Sequence, residues 1–471
     1  MINDTGSEAD GEGAVREIPA SRDARSPDNG LAAGERIWPG AAVLALITLL
    51  VYVPAMGGGF IWDDNTLLTE NPAVKTVDGL YSIWFGNWAE DYVPLTLSSF
   101  WVEWHLWGAH PAGYHIVNII WHAGSAVLLW RVLRRLGVPG SWLAALLFAV
   151  HPVCAASVTW IAERKNTLSL FFYLLSLWGF LRFDDLVHAP DGNGNSARWL
   201  GFSVGAFFLA LLAKSSVAVL PAALLLFVWW RRGRVTRRDL LRCVPFFALA
   251  ALMALMAVGV QSRAVHGGVG VIHDSLWVRL IGGSWAVWFY LGKIVAPIGL
   301  TMIYPRWEID PGAAVSYLPA LALAGLLILF WWRRKSWGRP FLFAFLYFLA
   351  ALAPVLGIVD IAFFSNSRVA DHLQYLALPG ILALIAALAR RRRRPAPALA
   401  AVLAVAALAW LTCRQEAVLA NGHRLWEDNY AKNPKSWKVC MNLSEALLEE
   451  HKTQEAIEWK NKADALLRSR Q

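Results

Sequence analysis

Runs of about twenty mostly apolar residues recur along the whole chain, and each is about as long as a helix needs to cross a bilayer. In hydrocarbon the backbone must satisfy its own hydrogen bonds, so repeated runs of this length dictate a bundle of α-helices. Composition agrees: the 471 residues are 57% hydrophobic and 16% charged, against about a quarter charged in a soluble domain. The 26 tryptophans cluster near the ends of several runs, where amphipathic rings favour the membrane interface. The chain is therefore expected to be an all-α polytopic membrane protein.

About eleven spans are expected, near 37–56, 113–131, 141–160, 166–183, 198–214, 216–231, 243–261, 313–332, 341–359, 373–390 and 396–412. A further apolar stretch, 276–300, is ambiguous, because it holds Arg279, Gly282, Gly283, Lys293 and Pro297. It fits either a span or a helix lying at the interface. The net charge of +9 would suggest nucleic acid in a soluble protein. Here the basic residues form short clusters between apolar runs, so they read as topology signals and no nucleic-acid partner is expected. "RVLRRLG" (131–137), "WWRRGRVTRR" (229–238), "WWRRKSWGR" (331–339) and "RRRRR" (390–394) all fall on the cytoplasmic side if the N-terminus is inside and 276–300 does not cross.

That threading divides the chain. Residues 1–36 are polar and read as a disordered cytoplasmic tail, too polar for a signal peptide, so the first run is expected to remain as an anchor. Residues 37–412 form the membrane domain, whose first outer loop is 57–112. Residues 413–471 form an extracytoplasmic tail. Four cysteines (Cys154, Cys243, Cys413 and Cys440) have no metal-like spacing and read as structural. No Walker A loop, dinucleotide fingerprint, HExxH or GxSxG motif stands out.

The same threading gathers polar groups at the outer face. "GGGFIWDDNTLLTENP" (57–72) places Asp63 and Asp64 just past the first span. Paired carboxylates can divide labour, one ionised and the other with a raised pKa, or they can stop a helix as a solvated turn. His110 ends the outer loop, and His115, Asn118 and His122 share one face of the next helix, either lining a site or tying helices together. Pro152 should bend the third span, which ends on Glu163, Arg164 and Lys165. Lys214 closes the fifth, and Arg368, Asp371, His372, Gln374 and Tyr375 crowd the mouth of the tenth. Cations are disfavoured on that face unless an anion needs them, and a phosphate would suit Arg164, Lys165 and Lys214; a snorkelling interfacial cluster is the plainer reading.

In the tail, 433–467 reads as two amphipathic helices. Leu443, Ala456 and Ala463 take the spacings of one tetratricopeptide-like repeat, with Ser444 where glycine is usual. A stable array needs roughly three repeats, so this one is expected to dock on the membrane part or a partner.

Together, "FIWDDNTLLTENP", the run from "YVPLTLSSFW" through "WRVLRRLG", "AALLFAVHPVCAASVTWIAERKNTLSLFFYLL", "LLAKSSVAVLP" and "SRVADHLQYLALPG" resemble, in order, the bacterial relatives of the transmembrane and tetratricopeptide repeat O-mannosyltransferases. These belong to the GT-C class of polyprenyl-phosphate-dependent glycosyltransferases. The resemblance implies an integral enzyme of a bacterial inner membrane, with its site and C-terminus on the periplasmic side. It would move a mannose-like hexose from a polyprenyl phosphate to a hydroxyl of a protein or glycan. One acid, Asp64 in preference to Asp63, would act as base or help hold a divalent metal. His110, His115, Glu163, Arg164, Lys165, Lys214, Arg368, Asp371, His372 and Tyr375 would contact substrate. Many relatives read His-x-Glu after the His-Pro pair, where this chain has Cys154 and Ala156. The competing classes are a non-catalytic scaffold that binds through the repeat, and a lipid or sugar transporter, whose polar lining should continue through the membrane midplane.

Overall fold

The computed structural model describes residues 37–86, 92–189, 195–266, 274–358, 362–391 and 395–469; the expected tail at 1–36 lies outside them. Two units divide the chain, Met1–Ala41 and Ala42–Gln471, and all that follows concerns the second. Among the described residues every regular element is helical. The first is α1 (Ile37–Tyr52). The expected outer loop is itself helical, with α2 (Pro72–Lys75), α3 (Gly79–Phe85) and α4 (Pro94–Trp107). Then come α5 (Pro111–Arg135), α6 (Ser141–Ala149), α7 (Ala155–Thr159), α8 (Arg164–Val187), α9 (Ser196–Ala213), α10 (Leu220–Arg232) and α11 (Arg237–His266). After α12 (Leu276–Val295) follow α13 (Leu318–Trp332), α14 (Gly338–Leu352), α15 (Leu378–Arg391) and α16 (Pro395–Val418). Three helices close the chain: α17 (Gly422–Lys432), α18 (Trp437–Glu449) and α19 (Thr453–Arg468). Prolines open α2, α4 and α5, where a missing N–H costs nothing and φ is already helical.

Among the described residues eight helices are long and apolar enough to cross a membrane, or nine if the bent pair α6–α7 counts as one span. The expectation of about eleven is corrected at three places. The run 141–160 is broken at His151-Pro152, and the chain turns by 50° there, because proline cannot donate to the preceding turn. The run 166–183 lies within α8, which is not among the helices apolar enough to qualify. The run 373–390 becomes a 3₁₀ turn followed by the short α15. Large apolar side chains lie bare on the spanning helices, such as Leu255 at 73% and Leu321 at 65% exposure, as a lipid-facing surface requires.

Hydrogen bonds fix which helix ends lie together. Trp230 Nε1 donates to Leu136 O at 3.4 Å, and the Arg339 guanidinium donates to Trp229 O at 3.2 Å and to Trp230 O. A Cβ on Gly140 would lie 2.8 Å from Ala386 O and 3.5 Å from Arg390 Cβ. The clusters 131–137, 229–238 and 331–339 and Arg390 thus share one end of the bundle; 392–394 lie outside the described residues. Because α10 ends and α14 begins at that end, an even number of crossings separates them. The long apolar helices α11 and α13 supply both, leaving α12 at the opposite end. There Trp285 and Trp288 donate to Ser316 O and Pro319 O around the start of α13, at 3.2 and 2.9 Å.

The last three helices also belong to that opposite end. Gly59 N donates to Ala420 O at 2.8 Å. Asn429 brackets Ile303, accepting from its N–H at 2.9 Å and donating to its C=O at 3.0 Å. One apolar cluster joins Ile61, Trp160 and Met302 to Leu425, Trp426, Val439 and Leu443. Leu443, Ala456 and Ala463 are buried where α18 and α19 pair, and Ser444 Oγ donates to Ala456 O at 2.7 Å. The pair is a helical hairpin fastened to the bundle.

Candidate functional site

The polar residues that the sequence scatters over some three hundred positions do converge, but they fall into four groups of different character. At the centre is the turn 61–64. Asp64 is 1% exposed; its Oδ2 accepts from Ile61 N at 2.8 Å and its Oδ1 from Ala162 N at 2.6 Å. Burial raises its pKa to about 8, against the opposing pull of those two amide donors. Each oxygen accepts from a backbone amide, so Asp64 fastens the turn. Asp63 is half-buried and keeps part of its surface open. The residue before it, Trp62, has φ 49°, a conformation that costs a bulky side chain on the order of 1–3 kcal/mol unless its surroundings hold it there.

The second group begins one residue beyond the amide that Asp64 grips. Glu163 is 1% exposed and lies 3.6 Å from both Lys165 Nζ and Lys214 Nζ. Burial pushes its pKa up, but Lys214, His372 and Lys165 outweigh burial and hold it at about 2. Lys214 also donates to Asn166 Oδ1 at 2.6 Å, and Asn166 Nδ2 donates to Ser157 Oγ at 3.0 Å and His372 O at 3.1 Å. Two lysines thus meet the buried Glu163 carboxylate. Lys214, Asn166 and Ser169 line a cavity closed by Ser216, Val355 and Tyr375. His372, buried beside them, has its pKa lowered to about 4 by burial.

The third group is saturated. Arg164, fully buried, pairs in two-pronged fashion with Glu103, its Nη2 reaching Oε2 at 3.0 Å, and also donates to Ser99 Oγ at 3.2 Å, Tyr114 O at 2.9 Å and Asn118 Oδ1. It ties α4, α5 and α8 together and has no donor left for a phosphate, which corrects its expected role. Glu103 was missed by the sequence reading, although a lone acid inside "WVEWHLW" is a signal that something cationic must meet it.

The fourth group lies beside α12. Arg368 Nη2 donates to Asp274 Oδ2 at 2.6 Å and its Nε to Trp307 O at 3.3 Å. With Arg279, Gly282, Leu356 and Phe364 it lines a second cavity. Asp371 is turned away from both cavities, taking hydrogen bonds from Tyr304 OH at 2.9 Å and Thr301 N at 3.2 Å. It too is held up, to about 7, by burial.

The remaining expected residues are spread out. His110 is exposed at the start of α5. His115 is buried beneath the glycine run, where a Cβ on Gly58 would come within 3.3 Å of its Nε2. Asn118 donates to Val158 O at 3.2 Å, and His122 bonds Tyr375 OH at 2.7 Å and Ala149 O at 3.1 Å. Asn118, His122 and Tyr375 therefore tie helices together, as a polar stripe in a bundle often does. Cys154 and Ala156 are buried in the bend. Among the described residues no group of three or more His, Cys, Asp or Glu side chains could hold a metal ion.

Fold and site together define a polytopic helical membrane protein with a buried polar cluster at the end of the bundle away from its arginine clusters. Residues 99–260 match the family described as dolichyl-phosphate-mannose-protein mannosyltransferase. The chain is also distantly similar to the protein O-mannosyl-transferase TMTC4 of human, 30% identical over 199 residues, and of mouse, 28% over 198, covering 36% of this chain and 27% of each relative. The Caenorhabditis elegans protein O-mannosyl-transferase F38B6.6 is 22% identical over 279 residues, 56% of this chain and 38% of that one. The chain thus spans about a quarter of the length of the TMTC4 proteins it matches. Among solved structures, ArnT from Cupriavidus metallidurans bound to undecaprenyl phosphate aligns over 90% of this chain and 74% of its own, at 15% identity and a TM-score of 0.39.

Proposed function

We propose that the protein is a membrane glycosyltransferase of the GT-C class. It moves a mannose-like hexose from a polyprenyl-phosphate donor to a hydroxyl of a protein or glycan. The observation that carries this reading is the bond from Ala162 N to Asp64 Oδ1. It seats the half-open Asp63 on the turn next to the Glu163–Lys165–Lys214 group, so a proton acceptor and two ammonium groups share one place. The matched family stretch, 99–260, contains that group.

In the reaction the acceptor oxygen attacks the anomeric carbon and the bond from that carbon to the phosphate oxygen breaks. The phosphate leaves with the electron pair, and its growing charge is stabilised by Lys165 and Lys214 in a site largely closed to water. Asp63 takes the proton from the attacking hydroxyl. Glu163 keeps the two ammonium groups together in the absence of donor, and Asn166 orients Lys214. The arginine-rich end is cytoplasmic by the charge rule, so the site opens on the extracytoplasmic face, where a lipid-borne donor is required because nucleotide sugars stay inside. The hairpin α18–α19 is one tetratricopeptide-like repeat, and a bacterial inner membrane suits the whole.

The test is direct. Purified protein in nanodiscs, given undecaprenyl-phosphate mannose, glucose or arabinose and a serine/threonine-rich peptide or glycan, should release undecaprenyl phosphate with at least one sugar. No release with any of them in folded protein would overturn the reading. In intact spheroplasts a tag inserted near residue 77 should react with impermeant reagents, and a shielded tag would place the site on the wrong face.

A further inference from the structure

We infer that the C-terminal helices position the catalytic turn, through an aromatic clamp in which Trp160 and Trp426 hold Trp62 and so aim Asp63. This rests on the reading of Asp63 as base. The rings of Trp62 and Trp160 stack at 5.1 Å with 6° between their planes, and Trp426 meets Trp62 edge-on at 5.2 Å and 83°. Trp160 continues the series to His372, edge-on at 5.6 Å. Trp62 is the residue in the left-handed region, a conformation that asparagine or glycine would adopt more readily, so its side chain is there for what it touches.

The neighbours of Asp63 are all tied. Asp64 grips two amides, and Asn65 Nδ2 donates to Glu449 Oε1 at 2.8 Å. Among these tethers Trp426 and Glu449 come from α17 and α18. Trp426 is in turn set by its own helix, which Asn429 and Asn433 pin to Ile303. Loosening the clamp from that side should therefore move the base.

In the full-length protein, Trp426→Ala should lower kcat about tenfold or more, the range a displacement of the base by an ångström or so produces, with KM for undecaprenyl-phosphate mannose unchanged. Trp426→Phe, which keeps an edge for Trp62, should restore most of kcat. A readout independent of turnover uses Asp63→Cys: the rate at which N-ethylmaleimide modifies residue 63, followed by peptide mass spectrometry, should change severalfold when Trp426→Ala is added and return with Trp426→Phe. An unchanged labelling rate in folded double variant overturns the clamp, as does a fall in kcat that is matched by a rise in KM. If Asp63→Asn keeps full transfer while the labelling rate still responds to Trp426, the clamp stands and the assignment of the base falls.

Discussion

The two ends of the bundle carry charge in opposite ways. At the arginine-rich end Arg135, Arg231 and Arg232 share Asp184, Asp185 and Asp239 in a network, and the arginine side chains remain about a quarter exposed, at 24%, 27% and 24%. At the other end Glu163, Arg164 and Asp64 are at most 1% exposed. Counting arginines would point to the first end. Depth of burial points to the second, the end proposed as the site, because a buried charge is costly unless it meets a partner or a ligand of opposite sign.

That contrast can be broken experimentally. Asp63→Asn should cut transfer on the order of 10²–10⁴-fold, the usual worth of a positioned base, with thermal unfolding in detergent unchanged; an equally active variant removes the base from this turn. Arg164→Ala leaves Glu103 buried and alone and should cost about 3–5 kcal/mol of stability, measured by thermal or denaturant unfolding. Lys214→Met should raise KM for a polyprenyl-phosphate donor about tenfold, as loss of a charge-assisted hydrogen bond does, and should lower the unfolding temperature less than Arg164→Ala, because Lys165 still faces Glu163. Arg231→Ala at the opposite end should change stability by no more than about 1 kcal/mol and transfer not at all, and a larger loss of transfer there would erase the distinction between the ends.

The carboxylates of the site end also sharpen the comparison through pH. Asp64, raised to about 8, binds a proton more tightly folded than unfolded. Its contribution is fully present below the unfolded value near 4 and is lost as pH rises through about 8. Glu163, held at about 2, has the reverse sign: its contribution is present above the unfolded value and lost as pH falls towards 2. Asp64→Asn should flatten the decline in unfolding free energy between about pH 4 and pH 8, and a slope equal to that of the parent protein would show that Asp64 is ionised throughout.

Much of the threading was legible in the chain. All eleven expected runs are helical in whole or large part, and the bend at Pro152 follows from a missing donor. The gathering of the basic clusters at one end follows from a charge rule that needs no packing information. What sequence could not supply was partner choice. Arg164 and Lys165 are adjacent and look equivalent, yet one is consumed by Glu103, sixty residues upstream, and the other sits with Lys214 around Glu163. Asp63 and Asp64 likewise differ in nothing but which way a turn points them, and that is set by Ala162 N. The aromatic clamp was out of reach for the same reason, since Trp62, Trp160 and Trp426 meet only when three distant elements close on one another.

The clamp also bears on when the protein becomes active. Ribosomes deliver Trp62 early and Trp426 only after nearly all the membrane domain has been threaded. Until α17 and α18 have folded back, the turn that carries Asp63 lacks two of its tethers. The geometry of this turn is therefore set late in the life of the nascent chain, after the helices of the membrane bundle have already been made.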